Sequence, residues 1–263
     1  MQTIRHHDLL EALLPLAREA GDLIMGIYAQ DFAVTHKADA SPVTQADTLA
    51  EEAIVRGLRK LAPAIPVVAE EAVSEGQAVT TGERFWLVDP LDGTREFINR
   101  NGEFTVNIAL IEHGEPVLGV VLAPALGRLY AGARGAGGAA GAGAFREAGG
   151  QRAAIACRPP GPNGLVVVAS RSHGDAEALD RFLAGRRVAR LVQAGSSLKL
   201  CLLAEGEADL YPRLGRTMEW DIAAGHAVLA AAGGRVVTLD GQPLRYGKPG
   251  LENPHFAAWG HGA

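Results

Sequence analysis

Apolar residues at Leu9, Leu13, Leu16, Ala20, Leu23 and Ile27 recur every three or four positions, which predicts an amphipathic helix over 9–28. Pro15 falls in its early part and predicts a kink or a later start, because proline has no N–H and crowds the preceding turn. After a polar loop at 35–41, a second helix is expected over 42–61. Thr44 and Asp47 have capping-box spacing, and Pro63 marks its end. Residues 65–69 read as a strand running into Glu70-Glu71, and 84–88 as a buried strand. Strands at 104–111 and 117–123 join across His113-Gly114, and 128–133 continues the meander. Helices followed by an antiparallel meander make 1–134 an α+β half.

The rhythm changes beyond 131–144, a stretch of almost only Gly and Ala. It carries too few side chains for a core and reads as an exposed loop, part of a connector over 135–152. In 153–263, strands at 165–169, 188–192, 208–211 and 235–239 alternate with helices at 175–183, 197–205 and 221–232. Alternation of this kind predicts an α/β half whose sheet is covered on both faces.

Composition narrows the partners. At 263 residues the chain is one large domain or two small ones sharing a core, and 48% hydrophobic content is ample for its interior. A net charge of −5 argues against a nucleic-acid polymer or a membrane surface as partner. A phosphate ligand would therefore need metal ions or a local basic pocket. Cys157 and Cys201 fit no zinc spacing or disulfide framework. Charged residues near the N-terminus and the lack of a long apolar run predict a cytoplasmic protein with no transmembrane segment. No pattern in the chain reports on subunit pairing.

The chemistry gathers at Asp89-Pro90-Leu91-Asp92-Gly93-Thr94, where the strand at 84–88 ends. On its own this hexapeptide also reads as a tight turn with Asp side chains on local backbone donors. Other acids also stand at element ends: Glu70-Glu71 after a strand, Asp221 at a helix start and Asp47 in a first helical turn. Each has a plain structural role, as a cap, a dipole partner or a solvated charge. Gathered at one sheet edge, they cannot all stay ionised without cations. Oxygen-only ligands favour Mg²⁺, and two ions roughly 3.5–4 Å apart suit phosphate-ester cleavage. Gly93 and Thr94 would offer backbone N–H groups to phosphoryl oxygens.

These segments, with Trp220-Asp221-Ile222-Ala223-Ala224 and Ser41-Pro42-Val43-Thr44-Gln45-Ala46-Asp47, resemble the signature of the inositol-monophosphatase superfamily. Ala69 stands where a Ser often precedes the Glu pair, which removes a hydroxyl but no metal ligand. The resemblance implies a layered αβαβα sandwich of the sugar-phosphatase type. It also implies that Glu70, Asp89 and the Leu91 carbonyl hold one Mg²⁺, that Asp89, Asp92 and Asp221 hold a second, and that a third, weaker ion attaches near Glu70. Thr94, Asp47 and Glu70 would orient and deprotonate the nucleophilic water. Inhibition by Li⁺ belongs to the same implication, as does peripheral attachment to the inner face of the cell membrane.

The substrate clues lie downstream, in Ser170-Arg171-Ser172-His173 and Gly195-Ser196-Ser197-Leu198-Lys199. Ser172 and Asp175 have the spacing of a plain cap, and Lys199 that of a solvated helix residue. Read functionally, His173 and Lys199 form a basic pocket, with Arg213 a further cation. A monophosphate has no need of it once metals neutralise its only phosphate; a second phosphate does. With 100–107, these stretches resemble the bacterial 3'(2'),5'-bisphosphate nucleotidases of the superfamily, from the first helix to about Tyr246. That resemblance implies a small nucleotide bisphosphate as substrate, adenosine 3',5'-bisphosphate or its sulfated relative. It implies substrate contacts at Glu70, Leu91, Asp92, Gly93, Thr94, Ser170, His173, Gly195, Lys199 and Asp221. An inositol or sugar monophosphatase, and a non-catalytic nucleotide sensor on the same fold, are the alternatives.

Overall fold

The structure, a computed structural model, describes residues 5–37, 42–135, 143–171 and 176–261. The chain begins with α1 (His6–Tyr28), then β1 (Thr35–His36) pairs antiparallel with β2 (Pro42–Val43) ahead of α2 (Gln45–Leu61). Next come β3 (Val67–Ala69), the short α3 (Glu70–Ser74), β4 (Arg84–Asp92) and α4 (Thr94–Ile98). The meander follows as β5 (Thr105–Glu112), β6 (Glu115–Ala123), β7 (Arg128–Ala133), β8 (Ala144–Ala148) and β9 (Gln151–Ala154). Strands β3 to β9 form one seven-stranded sheet in sequence order, with only β3 parallel to its neighbour.

The second half contributes β10 (Leu165–Ser170), α5 (Ala176–Leu183), β11 (Val188–Ala194), α6 (Leu198–Ala204) and β12 (Leu210–Arg213). It ends with α7 (Glu219–Ala231), β13 (Arg235–Thr238) and β14 (Phe256–Trp259). These strands make a mixed sheet in the order β11-β10-β12-β14-β13.

Three apolar clusters define five layers. α1 and α2 bury Leu9, Leu13, Ile24 and Ile54 against Trp86 and Val88 of the first sheet. Phe85 and Leu87 on its other face pack with α6 and α7, which also cover the second sheet. A small cluster around Val167 and Leu210 brings Phe182 of α5 onto that sheet's far side. The result is the expected αβαβα sandwich. α7 lies very close to the first sheet: a Cβ on Gly119 would come within 2.3 Å of the Ala224 carbonyl oxygen, so only glycine lets this helix settle there.

Four expectations need correction. α1 starts at His6 and runs through Pro15, because its buried face outweighs one lost hydrogen bond. The second helix starts at Gln45, since Pro42-Val43 pairs with β1 and Thr44 is the N-cap. Within the expected connector at 135–152, residues 136–142 lie outside the described residues, whereas 144–148 is strand and, with β9, extends the first sheet. Ala131 and Ala144, at the two ends of the Gly/Ala stretch, are buried. Finally, β14 follows the strand expected to be last and fills the gap between β12 and β13. No helix among the described residues is long and apolar enough to cross a membrane.

His226 on α7 sits buried with its Nδ1 2.8 Å from the Tyr246 hydroxyl. Burial pushes its pKa down to about 3. The unfolded chain takes up this proton below about pH 6.5 and the native protein does not, so stability falls as pH drops from 6.5 toward 3. Wild type should lose about 2 kcal/mol from this residue between pH 7 and pH 5. Urea midpoints for His226→Gln should lack that share of the loss; equal pH dependence in both proteins would contradict it.

Candidate active site

β4 departs from a regular ladder at Pro90-Leu91. Asp89 pairs with Asn107 and Asp92 with Thr105, so three steps on β4 match two on β5 and one residue is extra. Pro90 has no N–H to give a ladder, which favours a bulge here. The chemical consequence is large. Residues three apart in a regular strand face opposite sides, but the extra residue places Asp89 and Asp92 on one face, that of Asn107 and Thr105. By the alternation of Phe85 and Leu87, it is the face toward α6 and α7. Asp89 Oδ1 accepts the Leu91 N–H at 3.0 Å, and Asn107 Nδ2 lies 3.5 Å from Asp92 Oδ2. Gly93, with φ of 90°, then turns the chain into α4, which starts at Thr94.

Three further elements bring acids to this face. Asp47 completes the capping box of α2: its Oδ2 accepts the Thr44 N–H at 2.8 Å and the Thr44 hydroxyl at 2.7 Å. Its Oδ1 receives the Thr94 hydroxyl at 3.2 Å, which also lies 3.3 Å from the Leu91 carbonyl. One turn along α2, Glu51 accepts the N–H groups of Glu71 (2.7 Å) and Ala72 (2.9 Å), fixing the start of α3 and so the position of Glu70. Lys37 Nζ donates to Glu70 Oε1 and Glu71 Oε1, each at 2.7 Å. On α7, Asp221 Oδ2 accepts the Met218 N–H at 2.9 Å, and the Asp221 carbonyl accepts the Ser197 hydroxyl at 2.6 Å.

Burial and the charges of Glu70, Asp92 and Asp221 push Asp89 well above the usual carboxylate range. Burial, Asp92 and Glu70 do the same to Asp221. Asp92 is pushed up to about 6 by burial, with Lys199 pulling it back. Burial also raises Asp47, against the hydrogen bonds from Thr44. Buried carboxylates that repel one another in this way call for a cation, and an all-oxygen donor set suits Mg²⁺. Among the described residues, no three acidic, His or Cys side chains already stand close enough to hold one ion. Glu70 is engaged by Lys37, and Asp89 and Asp221 by backbone N–H groups. The donor set fits the ion through its chemistry and its mutual repulsion.

A cavity of about 570 Å³ opens at these acids. Glu70, Asp92, Gly93, Thr94 and Asp221 line it, and so do Ser170, Gly195 and Lys199 from the second half. Asp47, Asp89 and Leu91 stand behind that lining. His173 lies outside the described residues. Lys199 is buried on α6, far from the solvated helix residue its type suggests. Its Nζ donates to the Ser196 carbonyl at 2.5 Å and lies 5.4 Å from the centre of the Tyr211 ring. Burial lowers its pKa to about 8, while Asp92 pulls the other way. Arg213, also buried, lines the cavity and donates to the Arg216 carbonyl at 2.6 Å.

Sequence reasoning missed Ser196, which holds a φ of 43° on the cavity wall and whose buried hydroxyl has no hydrogen-bond partner among the described residues. It also missed Glu51 and Lys37. No local motif marks them, because each acts across a long stretch of chain.

A layered sandwich that gathers carboxylates on a bulged strand, beside a cationic wall, defines a metal-dependent phosphatase. The chain belongs to the inositol monophosphatase family, whose model matches residues 6–261. Its relatives include the 3'(2'),5'-bisphosphate nucleotidase CysQ of Shigella flexneri, 50% identical over 251 residues that span 94% of this chain and 98% of the relative. The protein of that name from Escherichia coli strain K12 is 49% identical with the same coverage. Among solved structures, CysQ from Bacteroides thetaiotaomicron is similar, with a TM-score of 0.78 and 38% identity over 96% of this chain and 97% of that one. An IMPase from Thermotoga maritima has a TM-score of 0.77 and 27% identity, over 96% and 92%.

Proposed function

We propose that this protein is a Mg²⁺-dependent nucleotidase that removes the 3'-phosphate of adenosine 3',5'-bisphosphate, giving AMP and phosphate, with 3'-phosphoadenylyl sulfate as a second substrate. One observation carries this reading: a single cavity joins a carboxylate cluster to a separate pair of buried cations, Lys199 and Arg213. Metal ions at the acids would neutralise the scissile phosphate. Lys199 and Arg213 put two buried positive charges on the same cavity wall, where a second phosphate of the substrate would meet them. An inositol or sugar monophosphatase would share the acids and leave Lys199 and Arg213 without a phosphate. The role suits clearance of a by-product of sulfate assimilation in the cytoplasm.

Glu70, Asp89 and the Leu91 carbonyl would hold one Mg²⁺, Asp89, Asp92 and Asp221 a second, and Glu70 a third, weaker one. Bound Mg²⁺ supplies Lewis-acid chemistry, lowering the pKa of water and offsetting phosphoryl charge. The chain's own groups do the rest. Thr94 donates a hydrogen bond to Asp47 Oδ1 and turns a lone pair to the attacking water, which Glu70 helps to orient. As the water's oxygen bonds to phosphorus, its proton would pass to Thr94 while the Thr94 proton passes to Asp47. The departing 3'-oxygen would take a proton from a water beside Asp221. The raised pKa of Asp47 makes it a better base than an exposed carboxylate. Gly93 and Thr94 present N–H groups to the transferring phosphoryl oxygens. Lys199 and Arg213 take the 5'-phosphate, Ser170 and Gly195 line the nucleotide's path, and His173 is assigned to the same phosphate from the sequence.

Thr94→Val removes the hydroxyl and keeps the shape. It should lower kcat by about 10²-fold with KM little changed. Phosphate release at saturating substrate reads this directly, and an unchanged kcat would take Thr94 out of the proton path. Comparing turnover of adenosine 3',5'-bisphosphate with inositol 1-phosphate tests the assignment as a whole.

A further inference from the structure

Glu103 lies just before β5, 92 residues from Gly195, yet its Oε2 accepts the Gly195 N–H at 2.8 Å. Arg171, at the end of β10, grips the same carboxylate from the other side, with Nε at 3.0 Å from Oε2 and Nη2 at 2.8 Å from Oε1. The Nη2 group also reaches the Gln193 carbonyl at 3.3 Å. The backbone of Glu103 is fixed in turn, since its N–H donates to Asn101 Oδ1 at 2.9 Å. One carboxylate of the first half thus holds the ends of both β10 and β11 in the second.

The turn that Glu103 holds carries the cationic wall. Ser196 follows Gly195 in a left-handed conformation, and its carbonyl accepts the Lys199 ammonium. Ser197 donates to the Asp221 carbonyl. A Cβ on Gly195 would come within 2.8 Å of the Glu103 carbonyl oxygen and 3.0 Å of Glu96 Cγ, so the turn sits against Glu103 with no room to slide. A Cβ on Gly93 would meet the same carbonyl oxygen at 3.3 Å. Glu103 therefore abuts both the bulged strand that carries the acids and the turn that positions Lys199.

We infer that Glu103, gripped by Arg171, is a positioning residue that sets the distance between the scissile-phosphate site and the cation for the second phosphate, and so the selectivity for bisphosphates over monophosphates. The inference rests on the reading of Lys199 above. Glu103 touches no reacting atom. Its effect belongs in the binding of the second phosphate and not in the chemical step.

The test compares adenosine 3',5'-bisphosphate with 3'-AMP, which has the same scissile ester and no second phosphate, for wild type, Glu103→Ala, Glu103→Gln and Arg171→Ala. Glu103→Ala should raise KM for the bisphosphate about tenfold, the loss that goes with one charge-assisted hydrogen bond, with kcat within about twofold. Both constants for 3'-AMP should stay at the wild-type values. Glu103→Gln keeps an oxygen for the Gly195 N–H and should recover part of the loss. Arg171→Ala, an exposed change, should shift bisphosphate KM in the same direction by less. Equal effects on both nucleotides, or none on either, would overturn the inference in favour of a purely structural ion pair. If wild type itself shows no advantage for the bisphosphate, the reading beneath falls and this inference with it. A wild-type advantage that survives Glu103→Ala overturns the inference alone.

Discussion

Asp89→Asn will abolish phosphate release, by at least about 10³-fold, in a protein that melts no lower than wild type when Mg²⁺ is absent. Both halves of this expectation come from the same burial. Asp89 is 1% exposed and its charge is opposed by Glu70, Asp92 and Asp221, with one Leu91 N–H to support it. Asparagine keeps an oxygen for that N–H and removes the like charge. The metal-free fold therefore loses nothing and sheds repulsion. The catalytic cost is set by the same change, because Asp89 is the acid assigned to both ions. Thermal melts with and without Mg²⁺ check the point. Wild type should gain about 2.7 kcal/mol at a hundredfold excess over Kd, and the variant should gain almost nothing. Near-normal turnover, or an undiminished Mg²⁺ response, would remove Asp89 from the metal site.

Lys199→Ala should lower kcat/KM for adenosine 3',5'-bisphosphate by about 10- to 100-fold, while inositol 1-phosphate, where it reacts at all, changes little. The ammonium is buried at 6% exposure, held by the Ser196 carbonyl over the Tyr211 ring and faced by Asp92. Its removal would take away the partner proposed for the second phosphate and also let the pKa of Asp92 drift upward, since Lys199 and the Ser197 N–H both hold it down. Higher Mg²⁺ should reverse the second effect and not the first. Steady-state kinetics at two Mg²⁺ concentrations separate them. Equal losses on both substrates would mean that Lys199 serves the metal site alone.

The acids were legible because each stands at the end of an element in a short, distinctive string. Asp47 could be placed from its capping box with Thr44, and Asp221 from its place at a helix start. What could not be read was how Asp89 and Asp92 come to share a face. Their spacing of three predicts opposite faces, and only the bulge at Pro90-Leu91 brings them together. β14 escaped for a different reason: four residues, with two alanines in the middle and no alternation, carry no local strand signal. Its neighbours β12 and β13 define it. Glu103 shows the same limit at the site. It lay within a recognisable stretch, but its role needs Arg171 and Gly195, which no spacing along the chain reveals. The sequence marks Lys199 as a cation, but nothing along the chain shows that it is buried.

On the proposed function, one cavity would handle two phosphates, one at the acids and one at Lys199 and Arg213. Initial rates of phosphate release from adenosine 3',5'-bisphosphate, 3'-AMP and inositol 1-phosphate, each with Mg²⁺, with EDTA and with added Li⁺, test it most directly. The bisphosphate should show the highest kcat/KM, with complete loss of turnover in EDTA and inhibition by Li⁺. A higher kcat/KM for inositol 1-phosphate, or turnover that persists without a divalent ion, would contradict it.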